Sequence, residues 1–384
     1  MAQFVDVLDV NASVVALPLI ARDFGLAESE LQWVVTAYVL VFAGCLLVSG
    51  RLADTYGRRR VFALGMGIFT VASLACGLAP GAGELVAARA FQGLGAALTA
   101  PAALALLVDA FPGDRRAVAV WTGVAAVGGA SGLVFGGVIA DTLGWRWVFL
   151  INVPIGLVAL ALTPRLLRES RTAPRELDLL AAAAATAGLA LLIAALSGRP
   201  AALAGAAVLL AVFVRRDRAL LIRDRTVAVA AAAGALLTAT TSGTGVLASL
   251  YLQGEAGLGP SAAGLAMLPL SVFVVIGSVV GARMDVGIVL VGAGCAALAL
   301  GSVLAWGILA GYGLGAASVA ATTLGTSAVD EDDRGAVSGL LGTAAQVGTA
   351  IGVAAFLQVG AVAACVVAVA GAVLLRPRRS AVSA

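Results

Sequence analysis

Long uncharged, apolar stretches recur from one end of the 384-residue chain to the other. About 20 residues of helix cross a bilayer core of about 30 Å, so stretches of this length predict spanning helices. Only 12% of the residues are charged, against about a quarter in a soluble domain, which excludes a soluble globular protein. The sequence therefore predicts an all-α integral membrane protein. Charged or turn-rich breaks define fourteen candidate spans, at about 1–20, 31–50, 61–79, 85–108, 117–140, 147–164, 177–196, 201–214, 226–252, 262–282, 287–305, 309–329, 336–358 and 360–375.

The longest uncharged stretch must turn back on itself. Residues 286–329 carry no charge, and as one helix they would be about 66 Å long, roughly twice the bilayer core. We expect the turn between Trp306 and Gly311. The shortest span, 201–214, would be only about 21 Å long, so it crosses the bilayer only if flanking arginines extend to the interface.

The arginines indicate which ends of the helices face the cytoplasm. All 24 basic residues are Arg, and with a cytoplasmic N-terminus all but four of them fall in cytoplasmic loops or at the C-terminus. Three of the four, Arg22, Arg146 and Arg199, fall outside, and the fourth, Arg89, lies within a span. Cytoplasmic loops of membrane proteins carry the excess of positive charge. We therefore predict a multi-pass protein of the cell (plasma) membrane with both termini cytoplasmic, and we interpret the basic clusters as topology anchors, with no nucleic-acid partner.

A faint internal repeat divides the spans into two groups. Repeated halves around a central site are a common way to build a secondary transporter. We therefore predict a six-helix bundle over 1–175, an inserted two-helix hairpin with its cytoplasmic loop over 176–225, and a second six-helix bundle over 226–384. The repeat consists of Gly50, Arg51, Asp54 and Gly57 after the second span, and of Gly281, Arg283 and Asp285 after the tenth.

Two charged residues, Asp9 and Arg89, are predicted to lie within the membrane. A charge at mid-bilayer costs about 2.5–3.5 kcal/mol on insertion scales, so such a residue is a functional hypothesis by default. Desolvation disfavours a charged carboxylate, so Asp9 is suited to take up and release a proton as its surroundings become wet or dry. The alternatives are an Asp9 at the helix end facing cytoplasmic water, and an Arg89 that binds backbone carbonyls between helices. We expect Asp6, three residues before Asp9, to be solvated.

Residues 50–60 are predicted to form a short loop between the second and third spans. Asp54 can accept a hydrogen bond from Arg58 or from the free N–H groups at the start of the next helix, with Gly50 and Gly57 at the turns. This would make a gating loop that holds one arrangement of the helices. The alternative is a structural turn in a positively charged cytoplasmic loop.

The same loop and several other motifs resemble the fourteen-helix drug:proton antiporter branch of the major facilitator superfamily. The resemblance covers essentially the full chain. Its longest run is the sixth-helix motif WRWVFLINVP at 145–154. The remaining motifs are Leu8-Asp9 with Ala16-Leu17-Pro18, Leu31-Gln32-Trp33 through Tyr38, ARAFQGLG at 88–95, Tyr251-Leu252-Gln253 and Ser338-Gly339-Leu340.

The resemblance implies two six-helix bundles around a central cavity that opens alternately to each side. It implies proton coupling through Asp9, with Arg89 tuning its protonation. The fifth-helix motif of this branch is represented by Gly128, Gly132, Gly136 and Gly137, although Leu133 replaces the usual Pro and plain tight packing would also explain the glycines. The first-helix motif departs from the family at Asn11 and Val14, so the hydrogen-bonding set around Asp9 differs.

The sequence also limits the chemistry of the cavity. Polar candidates for its lining are Gln92, Asn152 and Gln346, and aromatic candidates are Trp33, Tyr38 and Trp121. The chain has no His and no Lys, its four cysteines show no metal spacing, and no Gly-rich phosphate-binding loop is present, so we expect no enzyme, cofactor, metal or ATP site.

We therefore predict a monomeric secondary transporter that exports lipophilic small molecules in exchange for protons. Asp9 is counted as the one buried acid of the first half, which predicts neutral or monocationic substrates. The alternatives are uptake or facilitated diffusion of a small metabolite, and a degenerate relative that does not transport.

Overall fold

A computed structural model describes residues 2–110, 116–167, 169, 201–216, 225–280, 284–329 and 340–353, with isolated residues between 180 and 195 and at 337 and 355. All regular secondary structure in these ranges is helical. The helices are α1 (Ala2–Phe24), α2 (Glu28–Tyr56), α3 (Arg58–Gly77), α4 (Ala82–Ala110), α5 (Arg116–Thr142), α6 (Arg146–Leu150), α7 (Asn152–Leu166), α8 (Ala202–Arg216), α9 (Arg225–Gly254), α10 (Pro260–Val280), α11 (Met284–Ala299), α12 (Val303–Ser327) and α13 (Leu340–Val353).

The predicted all-α membrane fold is confirmed. Seven of the described helical segments are long and apolar enough to cross a membrane, among them α6 and α7 taken together as Arg146–Leu166. The predicted spans 177–196 and 360–375 lie largely or wholly outside the described residues, as does the boundary at 175, so the count of fourteen and the three-part division remain predictions.

The turn predicted between Trp306 and Gly311 is wrong. The chain turns at residues 300–302, where Gly301 has φ +82°, a value that glycine adopts without steric cost. Ser302 then caps α12, its hydroxyl oxygen accepting from the Ala305 N–H at 3.3 Å. Trp306 lies fully buried inside α12 and donates from Nε1 to the Thr244 hydroxyl at 3.0 Å. The turn is therefore formed by a glycine with a positive φ, Gly301, followed by the serine that caps the next helix, Ser302.

Residues 50–60 do not form a loop. Helix α2 continues through Gly50 and Asp54 to Tyr56, and α3 begins at Arg58, so Gly57 alone joins them. Gly57 has φ +105° and donates its N–H to the Ala53 carbonyl at 3.1 Å. The predicted gating segment is therefore two helix ends joined at a single glycine.

Helix packing places α1 at the centre of the molecule. In the first half, α1 packs on α5, while α4 packs on α2 and α3, and α7 packs on α3. In the second half, α12 packs on α9, α10 and α11. The halves meet where α5 lies against α10 and α1 lies against α9. Helix α1 thus contacts both halves, and it carries Asp9, the acid predicted to couple protons.

Candidate functional site

A buried ion pair joins α1 to α4. The Asp9 Oδ2 atom lies 2.5 Å from Arg89 Nη1, and both side chains have 0% exposure. This excludes the alternative in which Asp9 faces cytoplasmic water at a helix end. Arg89 also donates from Nε to the Val34 carbonyl of α2 at 2.9 Å, so the alternative role of binding a backbone carbonyl is present together with the ion pair.

Further polar groups complete the coordination of Asp9. Its Oδ1 atom accepts from Asn152 Nδ2 at 2.6 Å and from Gln92 Nε2 at 3.0 Å. Gln92 in turn accepts from Arg89 Nη1 at 2.6 Å and donates to the Ser73 hydroxyl at 2.9 Å. All of these side chains have 0% exposure. The carboxylate of Asp9 is therefore held by donors from two other helices, α4 and α7.

Two aromatic rings face the arginine of this cluster. The Arg89 guanidinium carbon lies 4.4 Å from the ring centroid of Tyr38 and 5.5 Å from that of Phe149, which is the geometry of cation–π contact. Arg89 Nη2 donates no hydrogen bond to any residue that the structure describes. The charge of Arg89 is therefore balanced by Asp9 and by ring faces.

Asp6 is not solvated as predicted. It is half-buried, and its Oδ1 atom accepts a hydrogen bond from the Tyr38 hydroxyl. The count of one interior acid in the first half is therefore wrong, because Asp6 lies inside the bundle one turn from Asp9. The solvated interpretation failed because Tyr38, 32 residues away in sequence, folds back to cover that face of α1.

A stripe of glycines on α5 sets the position of α1. A Cβ atom at Gly132 would lie 2.6 Å from the Leu8 carbonyl oxygen, and one at Gly136 would lie 2.5 Å from Ala12 Cα. Gly128 similarly meets the backbone of Phe4, at 2.9 Å from its carbonyl oxygen. These glycines therefore let α1 approach α5 more closely than any larger side chain would allow. This is the tight packing given above as the alternative explanation of the glycine motif.

The fourth glycine of the motif serves a different contact. A Cβ atom at Gly137 would lie 2.5 Å from the carbonyl oxygen of Pro260 in α10, so Gly137 faces the second half. Close by, the Ser261 hydroxyl donates to Asp141 Oδ2 at 2.8 Å. Helix α5 is unbroken from Arg116 to Thr142, with Leu133 in place of the expected Pro. The motif thus combines α1 packing with contact between the halves.

At the junction of α2 and α3, a residue that the sequence did not single out binds the start of α3. Glu169, which follows α7, accepts at Oε1 from the Arg59 N–H at 3.1 Å. Its Oε2 lies 3.7 Å from Arg59 Nε and 3.6 Å from Arg60 Nε. A Cβ atom at Gly57 would lie 2.5 Å from Glu169 Oε1, so both the space and the positive φ require glycine there. The side chain of Asp54 lies outside the described residues.

Hydrogen bonds also link α1 to α9 across the two halves. Gln253 Nε2 donates to the Val15 carbonyl at 2.8 Å, and the Ser249 hydroxyl donates to the Val14 carbonyl at 3.0 Å. Arg22 donates to the Gln253 carbonyl at 3.4 Å. These contacts all involve the second half of α1, toward Phe24, so α1 and α9 are hydrogen-bonded at that end of α1.

The predicted cavity residues separate into two groups. Tyr38, Gln92 and Asn152 are buried around the ion pair, where they bond to Asp6 or Asp9 instead of lining an open cavity. Trp33 and Gln346 are half-buried on α2 and α13, and the side chain of Trp121 lies outside the described residues. The sequence missed Ser73 and Phe149, which carry no charge and lie on helices that only tertiary packing brings together. The i, i+3 spacing of Arg89 and Gln92 was the available signal for the cluster.

Comparison with known proteins agrees with this architecture. The family described as the Major Facilitator Superfamily matches residues 1–353. The chain is 39% identical over 405 residues to the cephamycin export protein CmcT of Amycolatopsis lactamdurans, covering 93% of this chain and 83% of that protein. It is 36% identical over 395 residues to the puromycin resistance protein pur8 of Streptomyces alboniger, covering 92% and 78%.

Solved structures show the same fold. A peptide transporter solved with sulfate superposes with a TM-score of 0.70 at 16% identity, covering 97% of this chain and 91% of that one. A bacterial homologue of the human lysosomal transporter Spinster, inward-facing and unoccupied, superposes with a TM-score of 0.66 at 19% identity, covering 92% and 79%. With a matched family model over nearly the whole chain and relatives above 30% identity, this multi-pass membrane protein belongs to the Major Facilitator Superfamily of transporters.

Proposed function

We propose that this transporter exports lipophilic small molecules, antibiotics or drugs among them, across the cell membrane in exchange for protons, as a monomer with both termini cytoplasmic. The observation that carries the proton coupling is the Asp9–Arg89 pair at 2.5 Å with both side chains fully buried. The substrate class is supported by the relatives, which are named for cephamycin export and puromycin resistance.

The ion pair couples protonation to helix contacts. A charged Asp9 binds donors on α4 and α7, so the deprotonated carboxylate holds α1 against both helices. A proton on Asp9 removes that charge and leaves Arg89 buried without its partner, and breaking a buried pair costs about 3–5 kcal/mol. Protonation therefore favours a rearrangement of α1 against α4 and α7. Because α1 also bonds to α9 at Val14 and Val15, this rearrangement reaches the contact between the halves.

The charge balance also limits the substrate. Arg89 already neutralises Asp9, so the Asp6 carboxylate is left to balance one positive charge, and a rigid dication would bring a second, uncompensated charge into low dielectric at a penalty of several kcal/mol. Neutral or monocationic lipophilic molecules avoid that penalty. For a monocation, exchange of one proton for one cation is electroneutral, so the pH gradient alone drives it.

The test uses proteoliposomes and ethidium, a lipophilic monocation, with either a pH gradient or a membrane potential imposed alone. We expect ethidium transport to follow the pH gradient and to fall at least tenfold in Asp9→Asn. Glu84→Gln, an exposed acid in the first turn of α4, serves as the control and should match wild type. Ethidium transport that survives Asp9→Asn unchanged would instead indicate facilitated diffusion, and purified protein that moves no compound of a broad panel would indicate a relative that does not transport.

A further inference from the structure

Asp6 is a second interior carboxyl whose role the ion pair does not explain. It lies three residues before Asp9 on the same face of α1, about 4.5 Å nearer the start of the helix. Asp9 is fully buried, whereas Asp6 is half-buried. Of the two carboxylate side chains, only that of Asp6 is therefore partly exposed at the surface of the bundle.

The two carboxyls also differ in their partners. Asp9 accepts hydrogen bonds from Arg89, Gln92 and Asn152, and its charge is balanced by Arg89. The structure gives Asp6 one hydrogen-bond donor, the Tyr38 hydroxyl, and among the described residues it forms no ion pair. The carboxyl that is free to change its proton without breaking a buried ion pair is therefore Asp6.

The surroundings of Asp6 are mostly apolar. It lines a cavity of about 10 Å³, close to the space that one water molecule occupies, together with the apolar Met66 and Phe69 of α3 and the polar Gln3 of α1 and Thr99 of α4. The Thr99 hydroxyl donates to the Gly95 carbonyl at 2.8 Å. The titratable or charged groups facing Asp6 are Tyr38 from α2, Asp9 from α1 and Arg89 from α4, while α3 contributes only apolar side chains to this cavity.

Tyr38 ties this second carboxyl to the ion pair. Its hydroxyl donates to Asp6, and its ring lies 4.4 Å from the guanidinium carbon of Arg89. One buried side chain therefore contacts both the half-buried acid and the cation that balances Asp9. Because of these two contacts, a movement of Arg89 would displace Tyr38, the hydrogen-bond donor to Asp6.

We propose that Asp6 is the residue through which the buried Asp9 releases its proton to the cytoplasmic side. The O–H bond of the Asp9 carboxylic acid breaks and an O–H bond forms on the Asp6 carboxylate, with a water molecule carrying the proton between them, and Arg89 then balances the restored charge of Asp9. Asp6 passes the proton to cytoplasmic water and returns to its charged form. This inference rests on the proposed proton coupling and on a cytoplasmic start of α1.

The experiment separates proton release from substrate handling. Wild type, Asp6→Asn and Asp6→Glu are reconstituted in proteoliposomes and assayed with radiolabelled ethidium in two ways. The first is transport driven by a pH gradient, which requires proton release. The second is exchange of labelled for unlabelled ethidium at equal pH, which requires the protein to reorient with substrate but requires no net proton movement.

We expect Asp6→Asn to lose at least tenfold in gradient-driven transport while it keeps exchange within twofold of wild type. Asp6→Glu should restore gradient-driven transport to within about threefold, because it keeps a carboxyl at that place. Wild-type rates for Asp6→Asn in the driven assay would overturn the proposal, and so would an equal loss in both assays, which would make Asp6 a structural residue. Wild-type ethidium transport that ignores the pH gradient would overturn the proposed coupling itself, before any variant is compared.

Discussion

Replacing Gly132 with alanine should displace the helix that carries Asp9. The added Cβ would lie 2.6 Å from the Leu8 carbonyl oxygen and 2.9 Å from Asn11 Cβ, whereas ordinary contacts begin at 3.4 Å. Helix α1 or α5 must therefore move by about 0.8 Å at this point, next to a carboxylate whose bonds to Arg89 and Asn152 are 2.5 and 2.6 Å long. Overpacking of this kind costs about 1–3 kcal/mol, so a stability loss of that size is expected.

Gly129→Ala is the matched control on the same helix. Its Cβ would meet nothing closer than 3.7 Å, the distance to Val7 Cγ1, so no helix has to move. Both substitutions gain the same helix propensity, about 0.5–1 kcal/mol, which cancels in the comparison. We expect Gly132→Ala to unfold at a lower temperature than Gly129→Ala and to transport ethidium at least fivefold more slowly in proteoliposomes. Equal unfolding temperatures and equal rates for the two variants would refute the argument that the glycine stripe positions Asp9.

Glu169→Gln removes the charge that faces Arg59 at the start of α3, so ethidium transport should fall severalfold at unchanged expression. The control Glu84→Gln should transport ethidium at the wild-type rate. Equal rates for these two variants would show that the contact is only structural. The topology predicts that Arg199 lies outside and Arg171 inside, because the hairpin 177–214 crosses twice. Single cysteines at these positions, in a background without native Cys, should react with an impermeant reagent from opposite sides. Labelling from the same side would mean that the hairpin does not span.

The sequence predicted the charged residues of the site, because a charge inside an apolar span is easy to recognise. Asp9 and Arg89 stood out because a charge within an apolar span is costly, and this cost is local to each residue. Their pairing, and the bonds from Gln92 and Asn152, depend on how α1, α4 and α7 pack. One sequence fixes the faces of each helix but not the rotation of one helix against another, so these partners could not be assigned in advance.

The errors have a similar origin. Asp6 was expected in water because it lies near the start of a span, but a tyrosine from α2 covers it. The turn near Gly301 was placed five or more residues too late because residues 286–329 carry no charge, and hydropathy alone gives no signal for the turn within such a stretch. At the junction of α2 and α3, the sequence carried no signal for Glu169, because this residue reaches the start of α3 from 110 residues away.

Two of the hydrogen bonds that join α1 to α9 end on main-chain carbonyls of α1, those of Val14 and Val15. A carbonyl oxygen is present whatever side chain stands at its position, so substitutions along α1 leave both acceptors in place as long as the helix persists. The donors, Gln253 and Ser249, are two side chains on one helix. Mutations in α1 can therefore change the chemical character of this helix while the joint between the halves survives. These two bonds therefore depend on the helical backbone of α1 and on two polar side chains of α9.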